Sequence, residues 1–355
     1  MQSTTKFFTV MAVSALLTAC PGSGGDSSST ATASSTTTIY GLAYDSTNGK
    51  LYVANAGRNT IQSIDPTDLT SSPTTIAGGD NVAGTTNGDS TSARFYSPFA
   101  LAMSGTSLLI ADTGNSILRK ITSLTGTKTV SNYATAGNFN LPTALAASTT
   151  DLYVADTNVH TIKKISLADE SILPWAGTSG TAGTTTGVNR LTALFNLPAG
   201  IAVDTATGVV YVSDSGNHSI RKIDAAGNVT TIAGVAGTSG YKNSATGTSA
   251  KFNLPTNLVL FGNSLFVIDT NNHAIRKIDL STNSVTTFAG SAGAIDTDLN
   301  ASSGSSDGTG TSASFYFPRG IAVDGAANLY VSDQDRTKLR KISSAGVVST
   351  FTKTF

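Results

Sequence analysis

One pattern recurs six times between Ile39 and the C-terminus, and a chain written in copies of about 40 residues has few ways to fold. The clearest copy is Asn196–Gly234, NLPAGIAVDTATGVVYVSDSGNHSIRKIDAAGNVTTIAG. Four strands are predicted in it: Gly200–Asp204, Val209–Ser213, Ser219–Ile223 and Val229–Ala233. Each is apolar or β-branched and is bounded by Gly, Asn or Asp. The turns are short, so neighbouring strands must be antiparallel hairpins. A unit this small cannot bury its own faces and must stack on its neighbours. A repeated four-stranded meander is the blade of a propeller. The expected fold class is therefore all-β, a six-bladed β-propeller of four-stranded antiparallel blades.

The copies align on the residue closing the second strand: Asn55, Asp112, Asp156, Asp214, Asp269 and Asp333. Their spacing is uneven, and the excess falls between the fourth strand and the next blade. There lie the Gly/Ser/Thr-rich stretches Gly78–Ala93, Gly177–Ala193, Gly234–Ala250 and Gly290–Ala313. Insertions at one junction of a repeat map to one face. Three of these stretches end alike, at Ala93–Pro98, Ala250–Pro255 and Ala313–Pro318, each with a phenylalanine (Phe95, Phe252, Phe315) expected to plug between blades. The proline fixes the approach to the innermost strand.

Proline, Gly-Ile-Ala-Val-Asp, Leu-Tyr-Val-Ala-Asp, Asn-His and Ile-Arg-Lys-Ile together resemble the NHL repeat. The resemblance covers 39–355 and is clearest in copies four and five. The first copy departs with Asn55, Gln62 and Ser63, and the sixth replaces Asn-His by Arg336-Thr337. It implies a six-bladed NHL-type propeller, a fold used mostly as a binding scaffold and in a few cases by enzymes. The chain starts on an innermost strand (Tyr40–Asp45) and ends on an outermost one (Val348–Thr352). Closure by packing of blade one on blade six is expected, the alternative being that Thr36–Ile39 adds to the last blade.

The N-terminus reads differently. Lys6 precedes the apolar run Phe7–Leu17, too short to span a bilayer, which takes about 20 residues, but suited to a signal peptide. Leu17-Thr18-Ala19-Cys20 resembles the lipobox of bacterial lipoproteins. That resemblance implies cleavage before Cys20 and lipid on its thiol. Cys20 is the only cysteine, so no other thiol chemistry is available. Several acyl chains on one residue would anchor stably. Pro21, where aspartate is absent, points by analogy to the outer membrane. Pro21–Thr38 has neither aromatic residues nor apolar periodicity and reads as a disordered tether. The expected division is 1–19 signal peptide, 20–38 tether and 39–355 propeller.

Lysine plus arginine balance aspartate plus glutamate at 22 each, so no basic surplus exists for nucleic acid. His160, His218 and His273 are the three histidines, and all follow the blade aspartate at the same offset. They are read as repeat positions on different blades, since zinc needs its ligands within about 2.1 Å of one point. The blade aspartates are expected to cap their own turns. The pairs Arg119-Lys120, Lys163-Lys164, Arg221-Lys222, Arg276-Lys277 and Arg340-Lys341 are expected to pair with repeat acids. Glu170, the one glutamate, is expected to be solvated, which leaves little for two-carboxylate chemistry. The innermost strands, almost wholly Ala, Leu, Ile and Val with Asn257 as the polar exception, are read as an apolar channel lining unsuited to a metal. The loop acids Asp89, Asp296, Asp298 and Asp307 lack the spacing of a calcium loop.

No catalytic residue, metal or cofactor is therefore assigned. The expected function is a monomeric, membrane-tethered, non-enzymatic binding module with a protein or glycan partner at the long-loop face. Candidate contacts are Tyr96, Tyr241, Lys242, Tyr316 and Arg319, because aromatic and arginine side chains dominate interface energetics. The alternative is an envelope lyase or lactonase-like enzyme with a metal in the channel.

Overall fold

The computed structural model of the protein describes residues 37–135, 138–290, 304–333, 338–353 and 355. The lipobox, Cys20 and nearly all of the tether lie outside the described residues, as do Asp296, Asp298, Arg336 and Thr337. Six antiparallel meanders stand around one axis, and their four strands follow chain order in every blade. Blade 4, for example, runs Pro198–Val203, Val210–Asp214, Ser219–Ile223 and Val229–Ala233. These bounds differ by a residue or two from those expected, as strand ends do. Turns from first to second and from third to fourth strand share one face, here called the short-turn face. Turns from second to third strand and the connections between blades share the other.

Side chains of successive strand residues point to opposite sides. In a radial blade those sides are the two neighbouring blades, and six separate cores result. Ala43 of blade 1 packs with Leu101 of blade 2, while the adjacent Ala102 packs with Leu145 of blade 3. Each long connection adds a fully buried phenylalanine to such a core: Phe95, Phe195, Phe252 and Phe315 are all at 0% exposure.

The residue after the blade aspartate links the blades. Hydroxyls of Thr113, Thr157 and Thr270 donate to the carbonyls of Pro142, Pro198 and Pro318 at the start of the following innermost strand, at 2.5, 2.7 and 2.9 Å. Ser215 does the same to Pro255.

Among the described residues closure uses ordinary junction chemistry and no mixed blade; Thr36, the first residue of the alternative closing segment, lies outside them. Ser332 of blade 6 donates to the Tyr40 carbonyl of blade 1 at 2.9 Å, as Ser213 of blade 4 donates to Thr256 of blade 5. The Thr37 hydroxyl reaches the Phe355 carbonyl, and Phe351 and Phe355 fill the core between blades 6 and 1. Gly320 sits where the two backbones meet, and a Cβ there would lie 1.7 Å from the Tyr40 carbonyl oxygen. Gly320→Ala is therefore expected to cost at least the 1–3 kcal/mol or so typical of overpacking. Gly325→Ala, where a Cβ meets nothing within 4 Å, is the matched control. Chemical denaturation of both checks this, and equal stability of the two variants would contradict the closure described.

Candidate functional site

The long-loop face is built on five copies of one charged clasp. Each blade aspartate ends its second strand fully buried. One carboxylate oxygen accepts the backbone N–H of the residue arriving from the previous blade: Tyr96 on Asp112, Asn140 on Asp156, Asn196 on Asp214, Asn253 on Asp269 and Tyr316 on Asp333, at 2.6–2.7 Å. The other oxygen pairs with the first residue of the basic pair in the third strand. Arg119, Lys163, Arg221, Arg276 and Arg340 lie 2.7–3.2 Å away. The expected pairing with repeat acids is thus present. The aspartates hold their own turns as well, but through a side chain: in blades 2, 4 and 5 the amide of Asn115, Asn217 or Asn272 donates to the carboxylate at 2.8 Å, while the backbone N–H they cap is that of the incoming strand.

The arginines do more than neutralise. In blades 2, 4, 5 and 6 the second guanidinium nitrogen donates to carbonyls in the long connection, at Thr86, Thr185, Lys242 and Ser306, at 2.9–3.0 Å. The first nitrogen also reaches Arg94, Leu194, Lys251 and Ser314 on the returning arm, at 2.8–3.1 Å. Each guanidinium lies over the phenylalanine of its loop at 5.0–5.2 Å, a cation–π contact. Both arms of the loop are wound onto one fork, which suits the planar donors of arginine and not the point charge of lysine. Blade 3 follows a short connection and carries Lys163. Blade 1 follows none and has Gln62, bonded to Asn55 at 3.1 Å.

In their described residues the loops consequently do not stand free. Each returns over the outer edge of its blade and bridges to a valine there: Gly88 to Val130, Gly187 to Val229, Ser244 to Val285 and Gly308 to Val348. Blades 2 and 6 acquire a short fifth strand this way. Asp89 and Asp307 serve these loops. The first caps Thr91 and Ser92, with those N–H and hydroxyl groups, led by the Ser92 amide, holding its carboxyl well below the usual range. The second accepts from Arg340 at 2.9 Å.

The histidines form a second clasp. Nδ1 of His160, His218 and His273 accepts the backbone N–H of Leu197, Leu254 and Phe317 in the next blade, at 2.9–3.1 Å. Those three residues have φ of 44–53°, a left-handed conformation that costs an ordinary side chain on the order of 1 kcal/mol. An accepting Nδ1 requires a neutral ring protonated on Nε2. Among the described residues no three His, Cys, Asp or Glu side chains are grouped to hold a metal ion. Glu170 is exposed, yet its carboxylate accepts the Ala134 N–H at 2.8 Å and ties blade 3 to blade 2.

The channel differs from the expected apolar lining. Leu, Ile and Val of the innermost strands point into the cores between blades, so the free backbone edges of six strands form much of the wall. The channel has about 320 Å³ and is lined from all six blades. At the long-loop end it is stoppered. Tyr40 and Phe99 stack at 4.2 Å, and with Thr143, Thr256 and Arg319 they leave about 10 Å³, room for one water.

The five candidate contact residues are not brought together. Arg319 lies at 8% exposure inside the stopper, because the residue after the proline turns to the axis. Tyr241 lies over Arg276 with a ring distance of 4.5 Å and shares a hydrogen bond with Thr287, so it pins a loop to its blade. Tyr316 is half-buried and stacks on His273 at 5.8 Å. Tyr96 is half-buried and Lys242 exposed, both on the long-loop face.

Burial pushes the Asp112, Asp214 and Asp269 carboxyls up to about 6 against their hydrogen bonds. A folded value above the unfolded one adds most stability below about pH 4 and loses it as pH rises through 6. Burial pushes His160 and His218 down, and their contribution is present above about pH 6.5 and lost as pH falls through the lowered folded value. The two trends oppose, so a variant must separate them. Relative to the native chain, His218→Gln is expected to cost about 1 kcal/mol at pH 8, and the gap should narrow toward pH 5. Denaturation at both pH values checks it, and a gap that stays constant or widens would contradict the neutral-acceptor role.

The sequence matches the family model for the Teneurin NHL domain over residues 80–297, more than half the chain. NHL repeat-containing protein 2 of Bos taurus is 39% identical over 94 residues, which are 26% of this chain and 13% of that protein; the match thus spans a small part of the curated relative. An auxiliary nutrient binding protein from Bacteroides thetaiotaomicron superposes with a TM-score of 0.63 at 16% identity, covering 89% of this chain and 69% of that one. Virginiamycin B lyase from Staphylococcus aureus gives 0.53 at 14%, covering 90% and 85%. Identities this low show a common fold and nothing finer. With six NHL-like copies, the propeller they build and a family match over most of the ring, the chain belongs to the teneurin NHL domain family.

Proposed function

We propose that this protein is a lipid-anchored, non-enzymatic binding module of the bacterial cell envelope, engaging a protein or glycan through its long-loop face. The observation that carries the reading is the commitment of the recurring chemistry to structure. The five blade aspartates, their basic partners and the three histidines are all engaged in holding loops and blades. What remains is a set of loops held in place by the clasps, and preorganised surfaces bind with less ordering cost. Tyr96, Lys242 and Tyr316 are the contacts proposed on it, whereas Tyr241 and Arg319 are engaged elsewhere. The likeness to both a nutrient binding protein and a lyase is one of fold and favours neither activity. Attachment through Cys20, and an outer-membrane location, rest on the lipobox resemblance.

Photoreactive side chains placed at Tyr96, Lys242 and Tyr316 in intact cells test this, with Lys222 and Lys277 on third strands as controls. The expected result is one partner species crosslinked from the first set alone, and lost from the membrane fraction when Cys20→Ala releases the chain. Crosslinks of equal yield from both sets, or a Cys20→Ala chain that stays in the membrane, would overturn the reading.

A further inference from the structure

Six junctions between blades repeat one packing scheme, and one of them departs from it. The turn from third to outer strand spans 65–73 in blade 1, against 123–128, 167–171, 224–228, 280–284 and 343–346 in the others. The longer turn leans toward blade 6. There Leu69 packs on the closing core, its carbonyl accepts the Thr352 N–H at 2.8 Å, and the Pro66 carbonyl accepts from Lys341 at 3.3 Å. On its other side, toward blade 2, a cleft of about 460 Å³ opens on the short-turn face. That volume lies within the range of about 300–1,000 Å³ usual for small-molecule sites.

The lining has a definite chemistry. Tyr52 and Ile76 form the floor, and hydroxyls of Ser63, Ser72, Thr74 and Thr125 stand around it. A hydroxyl both donates and accepts, so such a set matches a polyol better than an apolar ligand, which would leave it unpaired. Lys50 and Lys128 also line the cleft, with Asp65 as an acid near them. Lys50 pairs with Asp65 at 3.3 Å, but the two side chains are 44% and 41% exposed, and an ion pair so exposed contributes about 0–1 kcal/mol. Lys128 has no ion-pair partner among the described residues. The three groups leave one positive charge, and two cations are too few for a nucleic-acid backbone.

We infer that this cleft binds an acidic saccharide, with the sugar hydroxyls among the serine and threonine side chains and its carboxylate at Lys128 and Lys50. The site is on the face opposite the proposed partner surface and stands independently of it. Isothermal titration of the purified full chain with trigalacturonate and with the neutral galactose trisaccharide tests it. The expected result is saturable one-site binding of trigalacturonate, at least tenfold weaker for the neutral sugar and for Lys128→Ala, and unchanged for Lys222→Ala. An unchanged melting temperature shows that Lys128→Ala still folds. Absence of saturable binding, binding indifferent to Lys128→Ala, or equal competition by inorganic phosphate would overturn the inference.

Discussion

A buried arginine held by a buried aspartate governs how this chain is put together. Neither group tolerates the interior alone, and removing one partner of such a pair typically costs about 3–5 kcal/mol. Here the pair is also a spool. Asp214 fixes the incoming Asn196 amide, Arg221 holds the carbonyls of Thr185 and Leu194, and Phe195 lies beneath the guanidinium. A Gly/Ser/Thr-rich connection with little apolar surface could not order itself. Wound on that fork it acquires fixed hydrogen bonds and covers the outer edge of its blade, where an exposed strand edge would otherwise invite foreign pairing.

Much of this was legible in the residues. Period, strand order, the plugging phenylalanines and the acid–base pairing all follow from patterns local to one copy. What was not legible depends on where a loop goes after it leaves the blade. Gly187 and Val229 meet in a bridge although nothing in either segment names the other. One signal was available: arginine opens the basic pair in the copies that follow a long connection, Lys163 in the copy that follows a short one, and Gln62 where none precedes. Another was the hydroxyl after the aspartate, at Thr113, Thr157, Ser215 and Thr270, which carries the contact between blades.

The candidate site was less legible, for a geometric reason. Exposure in a propeller is set by radius and by face, and both come from closing the ring. Arg319 reads as a loop residue beside a proline but falls on the axis, where six equivalent positions converge into a stopper. The innermost strands read as an apolar lining, yet radial blades turn those side chains sideways and leave main chain at the channel. The cleft between blades 1 and 2 arises from an irregularity, the long turn 65–73, that departs from the repeat. In a chain whose recurring residues are spent on structure, departures from the repeat are where ligand chemistry has room.

The most direct test of the spool is amide hydrogen exchange on Arg221→Lys. Lysine keeps a charge beside Asp214, as Lys163 does beside Asp156, but it lacks the fork that reaches both loop arms. The expected result is faster exchange across 177–193, where Gly187 pairs with Val229, with protection retained in Val210–Asp214 and Ser219–Ile223. Unchanged protection in the loop, or equal loss in loop and strands, would contradict the account.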